Sequence, residues 1–514
     1  MSHSAHPAGP SHGHPLPGAD PVLAPPDLTV LNRRIWSANV ERRAGELAVA
    51  GLPASRLAAE HGTPVFVLDT DDLRQRARAY ATAFEGGDVY YAGKAFLCTA
   101  VAGLLAEEGL GIDVCTAGEL AIALRAGVEA DRLALHGNNK SVAELRLALE
   151  SGVGRIVLDS HSEIDRLADL AAEAGVRPRV LIRVTVGVEA HTHAFIATAH
   201  EDQKFGFSLA SGQAEAAVAR VLSRPQLRLV GLHSHIGSQI FDTGGFEVAA
   251  HRVVGLLAKI RDQHGIELPE IDLGGGQGIA YVDGDDPQPA TEVAVRLREI
   301  VERECGLAGL SVPRLSVEPG RAIIGPSMLT LYEVGTVKPI ELDGGLVRNY
   351  VSVDGGMSDN VRTALYDADY TVVLANRLSA AAPQLSRVVG KHCESGDIVV
   401  RDCWLPADLA PGDLLAVAAT GAYCYAMASN YNRIPRPPVV AVTGSQARVI
   451  VRRETLEQLM ANDVGWDPAA QPADPAARPA DPAAWPADPA AQPATVDQPA
   501  TVDQRPAATT RVAG

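Results

Sequence analysis

The stretch "VYYAGKAFLC" (89–98) places a lysine where chemistry is possible. Val89 to Ala92 suit a covered strand, and Lys94 follows with Ala95 and Phe96 behind it. Lysine is seldom buried unless it is paired. At a strand end, desolvation lowers the pKa of an amine and makes it nucleophilic, which is how Schiff-base lysines arise. A lysine paired with a carboxylate for structure fits the same stretch, and the stretch alone does not choose.

Other short motifs carry chemistry of their own. "IDLGGGQG" (271–278) follows a strand with three glycines, which lets backbone N–H groups close on an anion such as phosphate. It is neither a G-x-G-x-x-G fingerprint nor a P-loop, and a plain tight turn explains it equally well. "HIGSQ" (235–239) offers Ser238 as a further phosphate donor, and "EPGR" (318–321) supplies another turn at a strand end. The H-x-H of "HSH" (233–235), with His136 and Asp272, has the donor types for zinc. So do His191, His193 and His200 in "EAHTHAFIATAHED" (189–202). Both histidines of "HSH" would face one side only if the strand stays regular, and a flat imidazole stacked on an aromatic cofactor suits His235 better. Glu318 beside Arg321 reads as an ion pair, or as a carboxylate that keeps a pyridinium nitrogen protonated.

These residues need a frame. Apolar runs recur at 89–94, 112–115, 133–138, 155–160, 180–184, 229–235, 271–276 and 315–320, with amphipathic segments between most of them. Eight strand–helix units predict an α/β fold, a (β/α)8 TIM-type barrel over 61–325, with a doubly wound open sheet as the alternative. Each run ends in a polar residue: Lys94, Asp113, His136 with Asn138, Asp159, Arg183, His233 with His235, Asp272 and Glu318. A barrel gathers such ends around one pocket. From 326 to 463 the sequence turns strand-like with little helix and predicts a C-terminal all-β domain, which residues 28–60 join. Residues 1–27, with His3, His6, His12 and His14, read as a disordered tail that binds metal weakly at most. So does 464–514, where "DPAAQPA"-type units repeat and proline blocks helix and ladder alike.

The bulk composition sets outer limits. The chain has 514 residues and a net charge of −17, with no basic stripe, so a nucleic-acid partner is not expected. No apolar run is long enough for a membrane span, and the N-terminus lacks the pattern of a secretory signal. Six scattered cysteines without a C-x-x-C pair suit free thiols in a reducing cytoplasm.

Taken together, "YYAGKAF", "HSHIGSQ", "IDLGGGQG", "EPGR", "CESGD" (393–397) and "GAYCYAMASNYN" (421–432) resemble the diaminopimelate decarboxylase family. These are pyridoxal-phosphate enzymes of the alanine-racemase-like barrel type, fold-type III. The resemblance runs in order from about residue 30 to 463, and its motifs are specific as a set. It implies decarboxylation of meso-2,6-diaminopimelate to L-lysine and CO2, the last step of lysine synthesis, in a cytoplasmic homodimer with shared active sites. It implies that Lys94 carries pyridoxal phosphate covalently and that His235 stacks on the ring. Ser238, Gly275, Gly276, Gly320, Arg321 and Tyr423 would hold the phosphate, and Glu318 the ring nitrogen. Arg321, Arg362 and Tyr366 would bind substrate carboxylates, with Tyr423 also at the substrate. Cys393 and Glu394 would reach the partner subunit's pocket, as proton donor and as binder of the distal amine. No metal is implied. A substrate with two amino-acid ends explains two spare arginines, whereas an amine-only tail such as ornithine's would want acids there. Another fold-type III decarboxylase or racemase, a metal-dependent barrel hydrolase, and a non-catalytic pyridoxal-phosphate carrier are the competing readings. By themselves, Arg362 and Cys393 would pass for a surface ion pair and a buried free thiol.

Overall fold

The computed structural model describes residues 24–188, 204–342 and 345–465. The histidine-rich stretch 189–202, the N-terminal histidines and the proline-rich repeats lie outside the described residues.

Eight parallel strands close into a barrel: Asp88–Ala92, Gly111–Val114, Leu133–Leu135, Arg155–Leu158, Arg179–Thr185, Arg228–His233, Glu270–Asp272 and Arg314–Val317. The last pairs with the first through Ser316–Asp88 and Val317–Val89, which closes the ring and excludes the open sheet. The strands are buried on both faces, so their sequences run apolar without alternation. Helices cover the outside, and local sequence sets their ends. Ser141 and Glu144 form a reciprocal N-terminal capping box, and the Ser160 hydroxyl accepts from the Glu163 N–H. The helices Val142–Ser151 and His161–Ala174 both stop at a left-handed glycine, Gly152 and Gly175.

A second, mixed sheet follows the order Ile398–Pro406, Pro383–Val389, Val347–Val353, Met328–Glu341, Val65–Asp69, Val439–Thr443 and Gln446–Val451. Val65–Asp69 lies within the span that the sequence assigned to the barrel, yet it pairs here with Met328–Glu341 and Val439–Thr443. Its alternation explains the placement. Val65 and Val67 pack with Ile35, Trp36 and Leu47 of the N-terminal segment, while Phe66 and Leu68 join the large core that contains the barrel. A strand covered on both sides gives no sequence signal of which sheet it enters. Among the described residues, no helix is long and apolar enough to cross a membrane.

Candidate active site

Lys94 sits in a short 3-10 turn, Gly93–Ala95, directly after the first barrel strand. The turn is tight: a Cβ on Gly93 would stand 2.8 Å from the Asp113 carbonyl oxygen. A loop of the mixed-sheet region grips the turn from outside, since the Tyr423 N–H donates to the Ala95 carbonyl at 2.9 Å. Lys94 is exposed between buried neighbours, and its amine has no hydrogen bond or ion pair among the described residues. Burial within the walls works to lower its pKa, but Tyr423, Asp113 and Glu318 outweigh that and raise it. The expected lowering is therefore corrected: acidic neighbours, not desolvation alone, set this amine.

An acid–imidazole cluster is assembled from the ends of the second, third, sixth and eighth barrel strands. Glu318 Oε1 is 3.0 Å from His136 Nε2 and 3.3 Å from His233 Nε2, without an aligned N–H, so this buried oxygen carries no directional hydrogen bond. His136 Nε2 is also 3.7 Å from Asp113 Oδ1, and the two imidazole rings meet edge to face. Burial works to raise the Glu318 carboxyl, but His136 and His233 hold it well below the usual range. Burial opposes charge on His136 too, yet Asp113 and Glu318 raise its pKa. His233 is pushed down by burial to about 4, and burial raises Asp113 to about 6 and Asp272 well above its ordinary value. The result is an ionised Glu318 beside a neutral His233, with His136 shifted toward its charged form.

The "HSH" strand ends at His233, so its two histidines do not share one regular face. His233 turns to Glu318, whereas His235 Nδ1 accepts the Gly275 N–H at 3.2 Å. Burial, with Lys94 and Arg183 beside it, keeps His235 well below its ordinary pKa and hence neutral. Ligand atoms of His136, His233 and Glu318 fall within 4.8 Å of one another, a spacing open to a divalent metal on geometry alone.

The glycine turn forms a cradle without side chains. A Cβ on Gly275 would stand 2.2 Å from the Glu318 carbonyl oxygen, and one on Gly276, at φ +118°, 2.6 Å from the Gly237 carbonyl. A Cβ on Gly320 would stand 2.9 Å from the Ala92 Cβ. Beside the cradle, Arg321 Nη2 donates to the Ser238 hydroxyl at 2.9 Å, and its guanidinium lies 4.8 Å from the Tyr423 ring centroid. Arg362, at the start of the helix Arg362–Tyr366, donates to the Tyr370 hydroxyl at 2.5 Å. Both arginines are buried, and among the described residues neither pairs with a carboxylate.

The structure thus brings Lys94, His235, Ser238, Gly275, Gly276, Glu318, Gly320, Arg321 and Tyr423 to one end of the barrel, with Arg362 linked to Arg321 through Tyr281. Tyr366 ends its helix half-buried, and the hydroxyl bonded to Arg362 is that of Tyr370. Cys393 and Glu394 are exposed on a turn whose base is fixed by Asp397, which accepts from the Met357 and His392 N–H groups at 2.6 and 2.8 Å. Among the described residues, neither bonds to the groups at the barrel mouth. The sequence reading missed Tyr281, Tyr370 and Cys424 around Arg362. Tyr281 stands five residues beyond Gly276, and Cys424 lies next to Tyr423 inside "GAYCYAMASNYN", but neither spacing shows that they meet Arg362.

An unpaired amine, an ionised carboxylate with an unbonded buried oxygen, a cradle that a Cβ would fill and acid-free arginines together fit pyridoxal phosphate. The comparisons agree. A family model described as the pyridoxal-binding domain of pyridoxal-dependent decarboxylases matches residues 70–325. The fold and the site define this class, a barrel decarboxylase that uses pyridoxal phosphate. The diaminopimelate decarboxylase of Mycobacterium leprae is 57% identical over 470 residues, 90% of this chain and 100% of the relative. That of Bacillus subtilis is 46% identical over 424 residues, 82% of this chain and 95% of the relative. The crystal structure of diaminopimelate decarboxylase from M. jannaschii with L-lysine superposes with a TM-score of 0.78 at 30% identity, covering 84% of this chain and 98% of that one. The chain belongs to the diaminopimelate decarboxylase family.

Proposed function

We propose that this chain decarboxylates meso-2,6-diaminopimelate to L-lysine and CO2 in the cytoplasm, as a homodimer with shared active sites. The observation that carries the reading is the unpaired Lys94 amine at the strand end, within the electrostatic reach of an ionised Glu318, together with two buried arginines that pair with no carboxylate among the described residues. When bound, pyridoxal phosphate supplies a sink for the electron pair left as CO2 departs.

The chain's own residues do the rest. Lys94 would hold the cofactor through its amine until substrate takes that place. Gly275, Gly276, Gly320, Ser238, Arg321 and Tyr423 would hold the phosphate. Glu318, kept ionised by His136 and His233, would keep a proton on the ring nitrogen. Neutral His235 would cover the ring face, where a charged imidazole would oppose the positive ring. Arg321, Arg362 and Tyr366 would orient the substrate through its carboxylates, which fixes the scissile bond. From the partner subunit, the Cys393 thiol would deliver the proton to the carbon that lost CO2, and Glu394 would bind the distal amine.

Two measurements test this. Borohydride treatment of the purified protein should fix a visible cofactor chromophore onto the chain, and Lys94→Ala should show no such attachment. CO2 should be released from meso-diaminopimelate and scarcely from L-ornithine or L-lysine. A colourless protein with stoichiometric zinc, or equal turnover of ornithine, overturns the reading.

A further inference from the structure

The two acid-free arginines are held by aromatic rings. The Arg321 guanidinium lies 4.8 Å from the Tyr423 ring centroid and 5.8 Å from that of Tyr281. Arg362 lies 4.8 Å from the Tyr281 centroid and 5.6 Å from that of Tyr370. Tyr281 is therefore common to both. Its hydroxyl accepts from Arg321 Nη1 at 2.5 Å while its ring meets Arg362, and it packs edge to face on Tyr370 with centroids 5.2 Å apart. The residue is itself pinned. Asp285 Oδ2 accepts the Tyr281 N–H at 2.8 Å, and the Thr371 hydroxyl donates to the Tyr281 carbonyl at 2.8 Å. Thr371 borders the mixed-sheet strand Val372–Leu374, so Tyr281 ties that strand to the loop after the seventh barrel strand.

Chemistry explains why a ring stands there. A carboxylate between the two guanidinium groups would neutralise them and occupy their N–H forks. A phenol ring within about 6 Å stabilises a cation through its face and leaves the forks open. Burial works against the charge on Arg362, yet Tyr281, Tyr370 and Cys424 raise its pKa. Arg321 comes from the barrel and Arg362 from the mixed-sheet region, so some group must set the spacing between them.

We propose that Tyr281 is a positioning residue that fixes Arg321 and Arg362 relative to each other and so selects a substrate carrying a carboxylate. The inference rests on the reading of these arginines as carboxylate binders. It makes Tyr281 a determinant of specificity that acts through both arginines.

The test titrates cofactor-loaded enzyme with L-lysine, which has one carboxylate, and with cadaverine, which has both amines and none. Binding is followed by the cofactor absorbance. Tyr281→Leu should weaken L-lysine about tenfold and Tyr281→Phe about threefold, because the second keeps the ring and loses only the bond to Arg321. Cadaverine should shift less than about twofold in both, because its binding makes no carboxylate contact, and each titration is read on the cofactor-loaded fraction, since Arg321 also serves the phosphate. In turnover, Tyr281→Leu should raise KM for meso-diaminopimelate and lower kcat, because both binding and orientation pass through the two arginines. Equal weakening of both ligands would show a merely structural role and overturn the proposal. So would unchanged L-lysine binding in both variants. Arg362→Met separates the two levels. If it leaves L-lysine binding intact, the carboxylate reading fails. If it weakens L-lysine while the Tyr281 variants do not, only the role of Tyr281 fails.

Discussion

Two lysines follow barrel strands, and they are held in opposite ways. Lys140 donates to the Gly137 and Val157 carbonyls at 2.7 and 2.6 Å and to Glu163 at 2.6 Å, so its burial is fully compensated. Lys94 has no such partners and is accessible, which separates a reactive lysine from a structural one. The sequence showed both as lysines near strand ends. It could not show which had partners, because Val157 and Glu163 reach Lys140 from the next strand and the helix after it. A second buried group has a pH consequence. Asp359 accepts from the Tyr332 hydroxyl and from the Gly356 N–H, and burial raises its pKa to about 7. A folded value above the unfolded one means that the folded state binds the proton more tightly. The stability that Asp359 contributes is full below the ordinary value of 3.8 and is lost as pH rises through about 7. We expect the melting-temperature difference between wild type and Asp359→Asn to shrink or reverse from pH 4 to pH 8. A flat difference would show that Asp359 does not titrate in this window.

At the scale of elements, the glycine turn after Glu270–Asp272 serves the site by having no side chains. Gly274 N–H donates to Asp272 Oδ1 at 2.7 Å, and Gly275 closes on the strand end that carries Glu318. Gly275→Ala must move the Glu318 backbone, because 2.2 Å is far inside contact distance. We expect this substitution to cost about 1–3 kcal/mol of stability and to weaken pyridoxal phosphate binding at least about tenfold. Thermal melting and equilibrium cofactor titration read the two effects. Gly255, with open space around it on the helix Gly244–His264, is the control in which Ala should do neither harm. The three glycines were visible in the sequence, but a turn and an anion cradle were equally good readings until the contacts of the turn were known.

For the whole molecule, Cys393 and Glu394 are the proposed parts of the site that one chain does not bring to its own pocket. Their turn is anchored and exposed, with Asp397 crowding Gly356 and Gly390 beneath it. Cys393→Ala alone should lower kcat by about 10²- to 10⁴-fold, the usual worth of a positioned proton donor. Mixing inactive Lys94→Ala with inactive Cys393→Ala under free subunit exchange should restore about a quarter of wild-type activity. Half of the dimers are then mixed, and each mixed dimer has one intact pocket. No recovery despite proven exchange would place Cys393 outside a shared site.

By itself the sequence determined the eight strand positions, the barrel they imply, and the motifs that mark the cofactor and the family. Those features are local: an apolar run, a glycine run, a residue type at a strand end. Tertiary structure decided what depends on distant residues meeting. It put Val65–Asp69 into the mixed sheet, turned His233 and His235 to different tasks, and reversed the expected direction of the Lys94 pKa. It also placed Tyr281 between two arginines from different parts of the chain. The physical reason is the same in each case. A side chain's charge and contacts are set by what surrounds it in space, and only closure of the barrel against the mixed sheet brings those neighbours together.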